Sequence, residues 1–292
     1  MQGEPAHVAI DVTAVERIAA LGWRGLEEAH LGAWLLRAAD GFTGRSNSAV
    51  LLGAPPQTVA DWLPDLVRWY SQRGLPPMVQ VPLPGGEAID ASLAAAGWRT
   101  HDLVRFLTGD ITDVRKSTAR SLARASEGHP VSDLLAEGAL HSDGPALVVQ
   151  LDDEPDDTWL AAYHYRGAPL PTHAREVLVR AGEDTELSFA SLRAPTPGGA
   201  TGAVVAVARG AVGQGWLGVT AVTVADQHRR RRYGTRLMSE LAAWAAERGA
   251  RAIYLQVAAD NGPALEMYSR MGFHHHHDYR YRIGPHLADS RP

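Results

Sequence analysis

The stretch "VADQHRRRRYGTRLM", residues 224–238, places four consecutive arginines between a strand pattern and a helix pattern. The apolar run Trp216–Val224 predicts a strand, and apolar residues at helical spacing predict a helix over Thr235–Glu247. The first N–H groups of a helix lack partners within it and carry a partial positive charge, so a loop that enters a helix past a glycine suits phosphate groups. The stretch therefore predicts a phosphate site formed by the main chain around Gly234.

Several sequence features that are absent limit which phosphorylated ligands can bind. The patterns Gly-x-x-x-x-Gly-Lys-Ser/Thr and Gly-x-Gly-x-x-Gly are both absent, which disfavours ATP, GTP and NAD. The chain has 28 Lys and Arg against 33 Asp and Glu, a net charge of −5, whereas nucleic-acid binders are usually basic over a whole face. We therefore expect no nucleic-acid partner. With no cysteine in the chain, thiolate zinc sites and cysteine nucleophiles are excluded.

The first residues, "MQGEPAHVAIDVTAVERIAALGW" (1–23), lack the basic and apolar segments of an export signal. No apolar run approaches the roughly 18 residues that a membrane span requires. We expect a cytoplasmic protein with no membrane partner.

The length of 292 residues is typical of two domains, and strand and helix patterns alternate in both halves. In the first half the predicted strands are Trp34–Ala38, Ser46–Leu52, Met78–Leu83 and Leu103–Leu107, and the predicted helices are Thr58–Arg73 and Ile89–Ala95. In the second half the predicted strands are Phe189–Leu192, Ala203–Val207, Trp216–Val224, Ile253–Val257 and Phe273–Ile283, and the predicted helices are Thr235–Glu247 and Gly262–Arg270.

The two halves share short matching stretches in the same order. "RWYSQRGLPPMVQVP" (68–82) and "AWAAERGARAIYLQVA" (243–258) each have a Trp five residues before a Gly, an Arg directly before that Gly, and a following Gln-Val. Further on, "LAAAGWR" (93–99) matches "YSRMGFH" (268–274) in a helix end, a Gly and an aromatic residue. The matches favour an internal duplication, with coincidence as the alternative.

Two motifs in the second half resemble the signatures of the GCN5-related N-acetyltransferases. In residues 224–238, Arg229 falls on the first position of Arg/Gln-x-x-Gly-x-Gly/Ala, Arg232 on the first glycine and Gly234 on the second. The stretch "AADNGPALEMYSRMGF" (258–273) resembles the second signature, Asn-x-x-Ala-x-x-x-Tyr-x-x-x-Gly-Phe, at Asn261, Ala264, Tyr268, Gly272 and Phe273. The resemblance covers roughly residues 145–285.

The resemblance implies transfer of an acetyl group from acetyl-CoA to a primary amine of a small molecule or a peptide, by direct attack and without a metal. It implies an α/β (α+β) fold of two similar domains, each a mixed, mostly antiparallel twisted sheet flanked by helices. Residues 1–111 would form a degenerate domain, 112–145 a linker and 146–292 the catalytic domain. The stretch "LLRAADGFTGRSNS" (35–48) also resembles a group of actinobacterial acetyltransferases with paired halves.

The family pattern implies a role for each matching residue. Tyr268 would be the general acid that protonates the departing thiolate. The backbone of Val222–Val224 would pair with the pantetheine arm, and the N–H of Val222 or of Thr223 would face the thioester carbonyl. The residues that would bind acetyl-CoA are Val222, Thr223, Val224, Arg229, Arg230, Arg231, Arg232, Tyr233, Gly234, Thr235 and Asn261.

Arg232 departs from the motif because it stands where the family has glycine. If the position requires a positive φ, an arginine there costs on the order of 1–2 kcal/mol. If it requires only an N–H group, any residue except proline suffices. Both alternatives are open at this point, and the Arg232 side chain is a further candidate for contact with a phosphate.

The general base is not identified by the sequence. The strand Trp216–Val224 contains no carboxylate, so the candidates are Glu186, Asp184, Asp226, His164 and an ordered water. Asn261 is a candidate helix cap as well as a ligand contact.

The run His274–His277 lies in the predicted final strand. Strict alternation would put His274 and His276 on one face and His275 and His277 on the other, so at most two could share a metal. We therefore expect no metal site, and we favour a solvated strand over a polar lining of the acceptor site.

The first half has no basic loop before its first helix and has Leu93 in the place of Tyr268. We expect it to be structural and to help shape the acceptor pocket. "GFTGRSNS" (41–48) is interpreted as an exposed hairpin turn, with a position facing the cleft as the second option.

Two alternatives to an N-acetyltransferase stay open. One is a non-catalytic acyl-CoA-binding sensor, and the other is an acyltransferase similar to mycothiol synthase. The acceptor and the oligomeric state are not indicated by the sequence.

Overall fold

Helices and strands alternate through both halves of the chain, in a computed structural model that describes residues 10–55, 58–127, 147–165, 167–194 and 202–285. The helices are α1 Val12–Gly22, α2 Val59–Ser71, α3 Glu87–Ala95, α4 Ile111–Glu127, α5 Asp157–Ala162, α6 Ala174–Leu178, α7 Tyr233–Glu247 and α8 Gly262–Arg270. The strands are β1 Glu27–Leu31, β2 Trp34–Ala38, β3 Ala49–Val50, β4 Met78–Leu83, β5 Arg99–Asp110, β6 Val148–Asp152, β7 Glu186–Arg193, β8 Val204–Gly213, β9 Trp216–Val224, β10 Ala252–Ala258 and β11 His274–Ile283.

All eleven described strands hydrogen-bond into one sheet in the order β1-β2-β3-β4-β11-β5-β10-β9-β8-β7-β6. The pairings β3 with β4 and β9 with β10 are parallel, and the others in the described chain are antiparallel. Helices α4, α7 and α8 pack on one face of the second half, and α1 packs on the other face. The expected mixed, mostly antiparallel sheet flanked by helices is confirmed. Within the described ranges, no helix has the length and apolar character needed to cross a membrane.

The two central strands of the sheet are exchanged between the halves. Strand β5, from the first half, lies between β10 and β11 of the second, while β11 lies between β4 and β5 of the first. Neither half completes its central sheet with its own strands. The division into domains 1–111 and 146–292 stays a prediction.

The stretches that match between the halves make matching contacts. The guanidinium of Arg73 lies 3.9 Å from the ring centroid of Trp69, and that of Arg248 lies 4.7 Å from the ring centroid of Trp244. Each arginine also donates to a glutamate on a strand of its own half, Arg73 to Glu27 at 2.9 Å and Arg248 to Glu186 at 2.8 Å. An arginine over an aromatic ring covers apolar surface and is attracted to the ring electrons. The same kind of contact therefore stabilises the C-terminal ends of α2 and α7.

The second pair of matching stretches also repeats its geometry. The Trp98 N–H donates to the Leu93 carbonyl at 3.0 Å, and the Phe273 N–H donates to the Tyr268 carbonyl at 3.1 Å. The glycine before each aromatic residue has a positive φ, 80° at Gly97 and 94° at Gly272, as a helix C-terminus of this type requires. Leu93 and Tyr268 therefore occupy equivalent places.

The first part of the predicted linker is helical. Helix α4 begins at Ile111, directly after β5, and packs against α7. Ile111 and Val114 are buried in the same core cluster as Leu241 of α7. The rest of the predicted linker, residues 128–145, lies outside the described residues.

Several helices and strands of the structure were not predicted from the sequence. Helix α1 is one, although Asp11 accepts a hydrogen bond from the Ala14 N–H at 2.9 Å, a helix cap that the sequence signals. The strand predicted over Ser46–Leu52 was wrong for most of its length. Residues Arg45–Asn47 form a 3₁₀ turn and only Ala49–Val50 are in β3, because the Asn47 side chain bonds the backbone of residues 39–43.

Helix α1 is held to the sheet by a buried carboxylate. Glu16, 1 % exposed, accepts from the Gln80 side-chain amide at 3.0 Å and lies 3.0 Å from His277 Nε2. The side-chain oxygen of Gln80, Oε1, in turn accepts from Arg37 Nη2 at 3.1 Å. This chain of bonds joins α1, β11, β4 and β2, so elements far apart in sequence share one buried polar network.

Glu16→Ala is expected to lower the free energy of unfolding by about 2–4 kcal/mol, because it leaves the buried Gln80 amide and His277 ring without their acceptor. Urea unfolding followed by tryptophan fluorescence measures the change. Glu240→Ala, at an exposed position of α7, is the control and should stay within about 0.5 kcal/mol of the wild type. A loss of less than about 1 kcal/mol in Glu16→Ala would show that the network contributes little.

Candidate functional site

A gap opens in the sheet where β9 and β10 separate. The parallel ladder joins Trp216 with Ala252 and ends at the pair Val219 and Leu255. Beyond that pair, β9 continues to Val224 beside β8, and β10 continues to Ala258 beside β5. The two strands therefore part like the arms of a V, and the inner edge of each arm has backbone groups without a strand partner.

A bulge shapes the β9 arm of this gap. Ala221 has a φ of 56°, and Ala221 and Val222 together lie opposite the single residue Ala208 of β8. Thr223 pairs with Val207, and the Ala225 N–H donates to the Val205 carbonyl at 3.0 Å. Because backbone groups alternate in direction along an antiparallel strand, the N–H and C=O of Val224 point away from β8 and into the gap.

The four arginines follow this strand end on an exposed loop. Arg229 forms an ion pair with Asp226 at 2.7 Å, in which both side chains are largely exposed. Arg230 has a φ of 62°, and the Arg230 and Arg231 side chains are exposed.

Arg232 is the cap residue of α7 and adopts a left-handed conformation, with φ 61° and ψ 20°. The motif glycine therefore corresponds to a position that requires a positive φ, and an arginine there costs on the order of 1–2 kcal/mol. The side chain turns to α4, where Nη1 donates to the Ser121 carbonyl and lies 3.2 Å from Ser121 Oγ. In the structure the Arg232 side chain thus joins the loop to α4.

The first turn of α7 leaves three N–H groups open. The Arg236 N–H makes the first helical bond, to the Arg232 carbonyl at 3.0 Å, and among the described residues no acceptor lies at the N–H groups of Tyr233, Gly234 or Thr235. The first turn also contains no acidic residue. This helix end therefore keeps its partial positive charge for an anion.

The packing around Gly234 would accommodate a side-chain Cβ. A Cβ built on it would lie 3.4 Å from Met267 Sδ of α8 and 3.9 Å from Val224 Cγ2 of β9, which are ordinary contact distances. Gly234 is helical with a negative φ, so the conformational demand falls on Arg232 alone of these two motif positions.

The second signature brings Asn261 and Tyr268 to α8. Asn261 caps this helix, with Oδ1 accepting from the Ala264 N–H at 3.3 Å. Tyr268 is buried in the same core cluster as Val219 and Leu255, the residues at which the strands part, and its ring lies 5.6 Å from that of Phe273. Burial raises the pKa of Tyr268 well above its usual value of 10.

The four side chains considered as general base do not converge on this gap as a group. Glu186 bonds Arg248 at 2.8 Å at the start of β7, and Asp226 bonds Arg229 on the exposed loop. Asp184 lines a separate groove of about 580 Å³ between α1 and β7, together with Arg24 and Arg180. His164 is exposed in the segment after α5.

The first half reaches the gap through the loop 41–48, which the sequence interpretation favoured as an exposed turn. That interpretation was wrong for most of the loop, because Thr43, Ser46 and Asn47 are buried. Arg45 extends to the second half, where Nη1 donates to Gln256 Oε1 at 2.8 Å. Gln256 follows Leu255 directly, so this contact lies where β10 leaves β9. Sequence reasoning missed both residues, because only the exchanged sheet brings them together.

The histidine run is not the solvated alternating strand that was favoured. His276 is the extra residue of a bulge in the β11 pairing with β5, so alternation shifts within the run. His276 Nδ1 lies 2.9 Å from His277 Nδ1, and His277 is 1 % exposed beside Glu16. No group of three or more potential metal-ligating side chains occurs in the described part of the chain.

The comparison with protein families decides the wider identity. The sequence model described as "Probable histone acetyltransferase Rv0428c C-terminal" matches residues 9–282. The chain belongs to this acetyltransferase family. Within the GCN5-related N-acetyltransferases, it is 31% identical over 277 residues to the probable histone acetyltransferase Rv0428c of Mycobacterium tuberculosis, covering 92% of this chain and 73% of that protein. It is 23% identical over 274 residues to the uncharacterized N-acetyltransferase YobR of Bacillus subtilis, covering 94% of this chain and 98% of that protein.

Solved structures of GCN5-related N-acetyltransferases share the fold. The protein of that family from Kribbella flavida superposes with a TM-score of 0.57 at 17% identity, over 96% of this chain and 99% of its own. A tandem protein of the family from the clavulanic acid biosynthesis pathway superposes with a TM-score of 0.56 at 16% identity, over 96% of this chain and 90% of its own. The likeness extends over both halves, as the family resemblance implied.

Substitutions of Arg232 separate the cost of its backbone from the contribution of its side chain. Arg232→Ala removes the bonds to Ser121 and keeps the left-handed strain, whereas Arg232→Gly removes both. We expect Arg232→Gly to be more stable than Arg232→Ala by about 1 kcal/mol in urea unfolding. At Arg229, where φ is −64°, the same pair of substitutions should give the opposite order, and an alanine variant at Arg232 as stable as the glycine variant would contradict the strain.

Proposed function

We propose that the protein transfers an acetyl group from acetyl-CoA to a primary amine by direct attack. The observation that carries this proposal is the open edge of β9 at the gap, followed within one short loop by the unpaired N–H groups of α7. Acetyl-CoA has a peptide-like pantetheine arm and a diphosphate, and these two features fit a free strand edge and a helix N-terminus in that order.

Different residues would bind different parts of acetyl-CoA. Val224, with Val222, would offer backbone groups to the pantetheine arm, and Thr223, whose backbone faces Val207 of β8, would hold this strand edge in place. The N–H groups of Tyr233, Gly234 and Thr235 would bind the diphosphate. The exposed Arg230 and Arg231 would supply charge near it. Arg229 and Arg232 would act mainly through the backbone, since their side chains bond Asp226 and Ser121.

Tyr268 would supply the proton for the departing thiolate. The amine nitrogen attacks the thioester carbon, the C–S bond breaks, and the Tyr268 hydroxyl protonates the sulfur. The proton that the amine loses passes to solvent, from which Tyr268 regains its own. Because burial raises the pKa of Tyr268 above its usual value, the hydroxyl keeps its proton throughout the neutral range. Asn261 would contact the ligand with its amide NH₂ while Oδ1 caps α8.

The acceptor is a primary amine of a small molecule or a peptide. A relative named as a probable histone acetyltransferase supports a peptide lysine as one candidate. The first half would contribute to the acceptor side of the site through loop 41–48, because Arg45 reaches β10.

Tyr268→Phe is expected to lower kcat by about 10²- to 10⁴-fold, because it removes the proton donor, with little change in the KM for acetyl-CoA. CoA release with a panel of amines, aminoglycosides and peptides measures the rate. Tyr70→Phe is the control, since Tyr70 is also buried and its hydroxyl donates to the Arg37 carbonyl at 3.2 Å. With the raised pKa, ionisation of Tyr268 should cause no loss of kcat between about pH 7 and pH 9.

An unchanged kcat in Tyr268→Phe would exclude this tyrosine as the acid. Acetyl-CoA binding by calorimetry, with no turnover of any amine by the wild type, would favour the acyl-CoA-binding sensor instead.

Arg231→Glu is expected to raise the Kd for acetyl-CoA by about 3- to 10-fold at low salt, because it places a negative charge at the start of α7. Calorimetry measures the affinity. Arg251→Glu is the matched control, since it makes the same change of charge at an exposed residue beside the closed end of the β9 and β10 pairing. Equal effects of both substitutions would point to net charge rather than to the loop.

A further inference from the structure

Arg45 is a cation placed at the gap without an anion. Its guanidinium lies 4.8 Å from the ring centroid of Trp23, and Nη1 donates to Gln256 Oε1 at 2.8 Å. The Tyr279 hydroxyl donates to the same Gln256 Oε1 at 3.4 Å, and Tyr281, Tyr163 and Tyr165 are close enough to Arg45 for electrostatic interaction. Across the described ranges, no carboxylate lies within ion-pairing distance of Arg45.

Two buried polar atoms at this place have no partner. Arg45 Nε and Thr220 Oγ1 are both buried, and neither has a hydrogen-bonding partner among the described residues. Thr220 pairs across β8 with Arg209 and is the first residue of β9 beyond the ladder with β10. Continuing the register from Gly218 and Tyr254, Thr220 faces Gln256 across the gap. A buried donor left unpaired costs about 1–3 kcal/mol, so two in one place indicate a missing partner.

Two buried arginines, Arg209 and Arg37, differ from Arg45, which is half-buried. Arg209, fully buried, donates to the carbonyls of Leu178, Gly22 and Arg180. Arg37, 2 % exposed, donates to Ser48, Trp23 and Gln80. The protein thus satisfies these two guanidinium groups with its own oxygens, whereas the Nε of Arg45 has no partner among the described residues.

We propose that Arg45 and Thr220 bind the carboxylate of the acceptor, so that the acceptor is an amine of the amino-acid type. The inference rests on the proposed acetyl transfer. A guanidinium presents parallel N–H groups that match the two oxygens of a carboxylate, and Thr220 adds a hydroxyl donor. Trp23 and the tyrosines supply apolar walls for the rest of the molecule. The bound carboxylate would place the amine at the opening of the gap, where the thioester is expected.

The acceptor rather than the donor is assigned to Arg45 because of its place on the sheet. Arg45 approaches the sheet from the face that carries Trp23, Tyr254 and α1. The diphosphate is proposed to bind at the start of α7, and α7 packs on the other face of the sheet. The acceptor would therefore enter opposite the donor, and the first half would determine which amines react.

The test compares free L-amino acids with their carboxamides as acceptors for the full-length chain, by CoA release. The acids should exceed the amides in kcat/KM by about 10- to 100-fold, mainly through KM. Arg45→Gln should bring this ratio close to one and leave the Kd for acetyl-CoA unchanged, and Arg45→Lys should restore part of it. Thr220→Val should lower the ratio by about 3- to 10-fold. Arg68→Gln, at an exposed residue of α2, is the control.

Several results would overturn the assignment. These are equal rates with acids and amides, an acid preference that survives Arg45→Gln, and no turnover of any free amino acid by a protein that binds acetyl-CoA. Faster turnover of lysine peptides than of free amino acids would also overturn it. A preference for succinyl-CoA over acetyl-CoA that Arg45→Gln abolishes would assign the carboxylate to the donor. Failure of the proposed function is distinct, because it appears as absence of acetyl-CoA binding in calorimetry, or as binding without turnover of any amine of the panel.

Discussion

The exchange of β5 and β11 is the constraint on which the arrangement of the whole molecule depends. Each of these strands is paired on both edges with strands of the other half, β5 with β10 and β11, and β11 with β4 and β5. If a central strand lost its neighbours, its buried backbone N–H and C=O groups would be left without hydrogen-bonding partners. This cost fixes the two halves relative to one another. The same pairing holds the outer edge of β10 against β5, and β10 can therefore leave β9 at Leu255 without losing its place in the sheet.

The two halves share local contacts at their helix ends. They differ at the start of the helix, α2 or α7, and at the position occupied by Leu93 or Tyr268. At the start of α2, the Asp61 carboxylate accepts from the Thr58 N–H at 3.2 Å and from its hydroxyl at 2.5 Å, so the first half neutralises this helix end itself. Helix α7 has no acid in its first turn. Leu93 stands in the place of Tyr268 and is fully buried. Of the two halves, as far as the structure describes them, the second combines an open helix end with a tyrosine buried in the same core cluster as Val219 and Leu255.

Buried polar groups of the first half, in a network that reaches His277 of the second half, give the packing its specificity. Glu16, Gln80 and Arg37 form one network, and loop 41–48 is fixed by the Asn47 side chain and by Trp23 Nε1, which donates to Ser46 Oγ at 2.7 Å. Such groups tolerate only arrangements in which every donor finds an acceptor, so they select one register of the two halves. Arg45 extends from this rigid loop, which explains how a residue of the first half holds a fixed position at the site of the second.

The sequence by itself determined the elements that follow local rules. The bounds of β2, β4, β9 and α8 were predicted from periodicity, capping and glycine stops, and those of α7 to within two residues, because these signals lie within one element. The loop that leads into α7 and the position of Asn261 as a helix cap were predictable for the same reason.

Only the tertiary structure decided the strand exchange, the burial of His277, the contact of Arg232 with Ser121 and the arrival of Arg45 at Gln256. Strand partners distant along the chain leave no mark in local periodicity, and a single bulge residue reverses which face a side chain occupies. A side chain as long as arginine also reaches partners that spacing does not reveal. The site is thus a set of locally encoded parts, whose mutual placement comes from pairings between residues far apart in the chain.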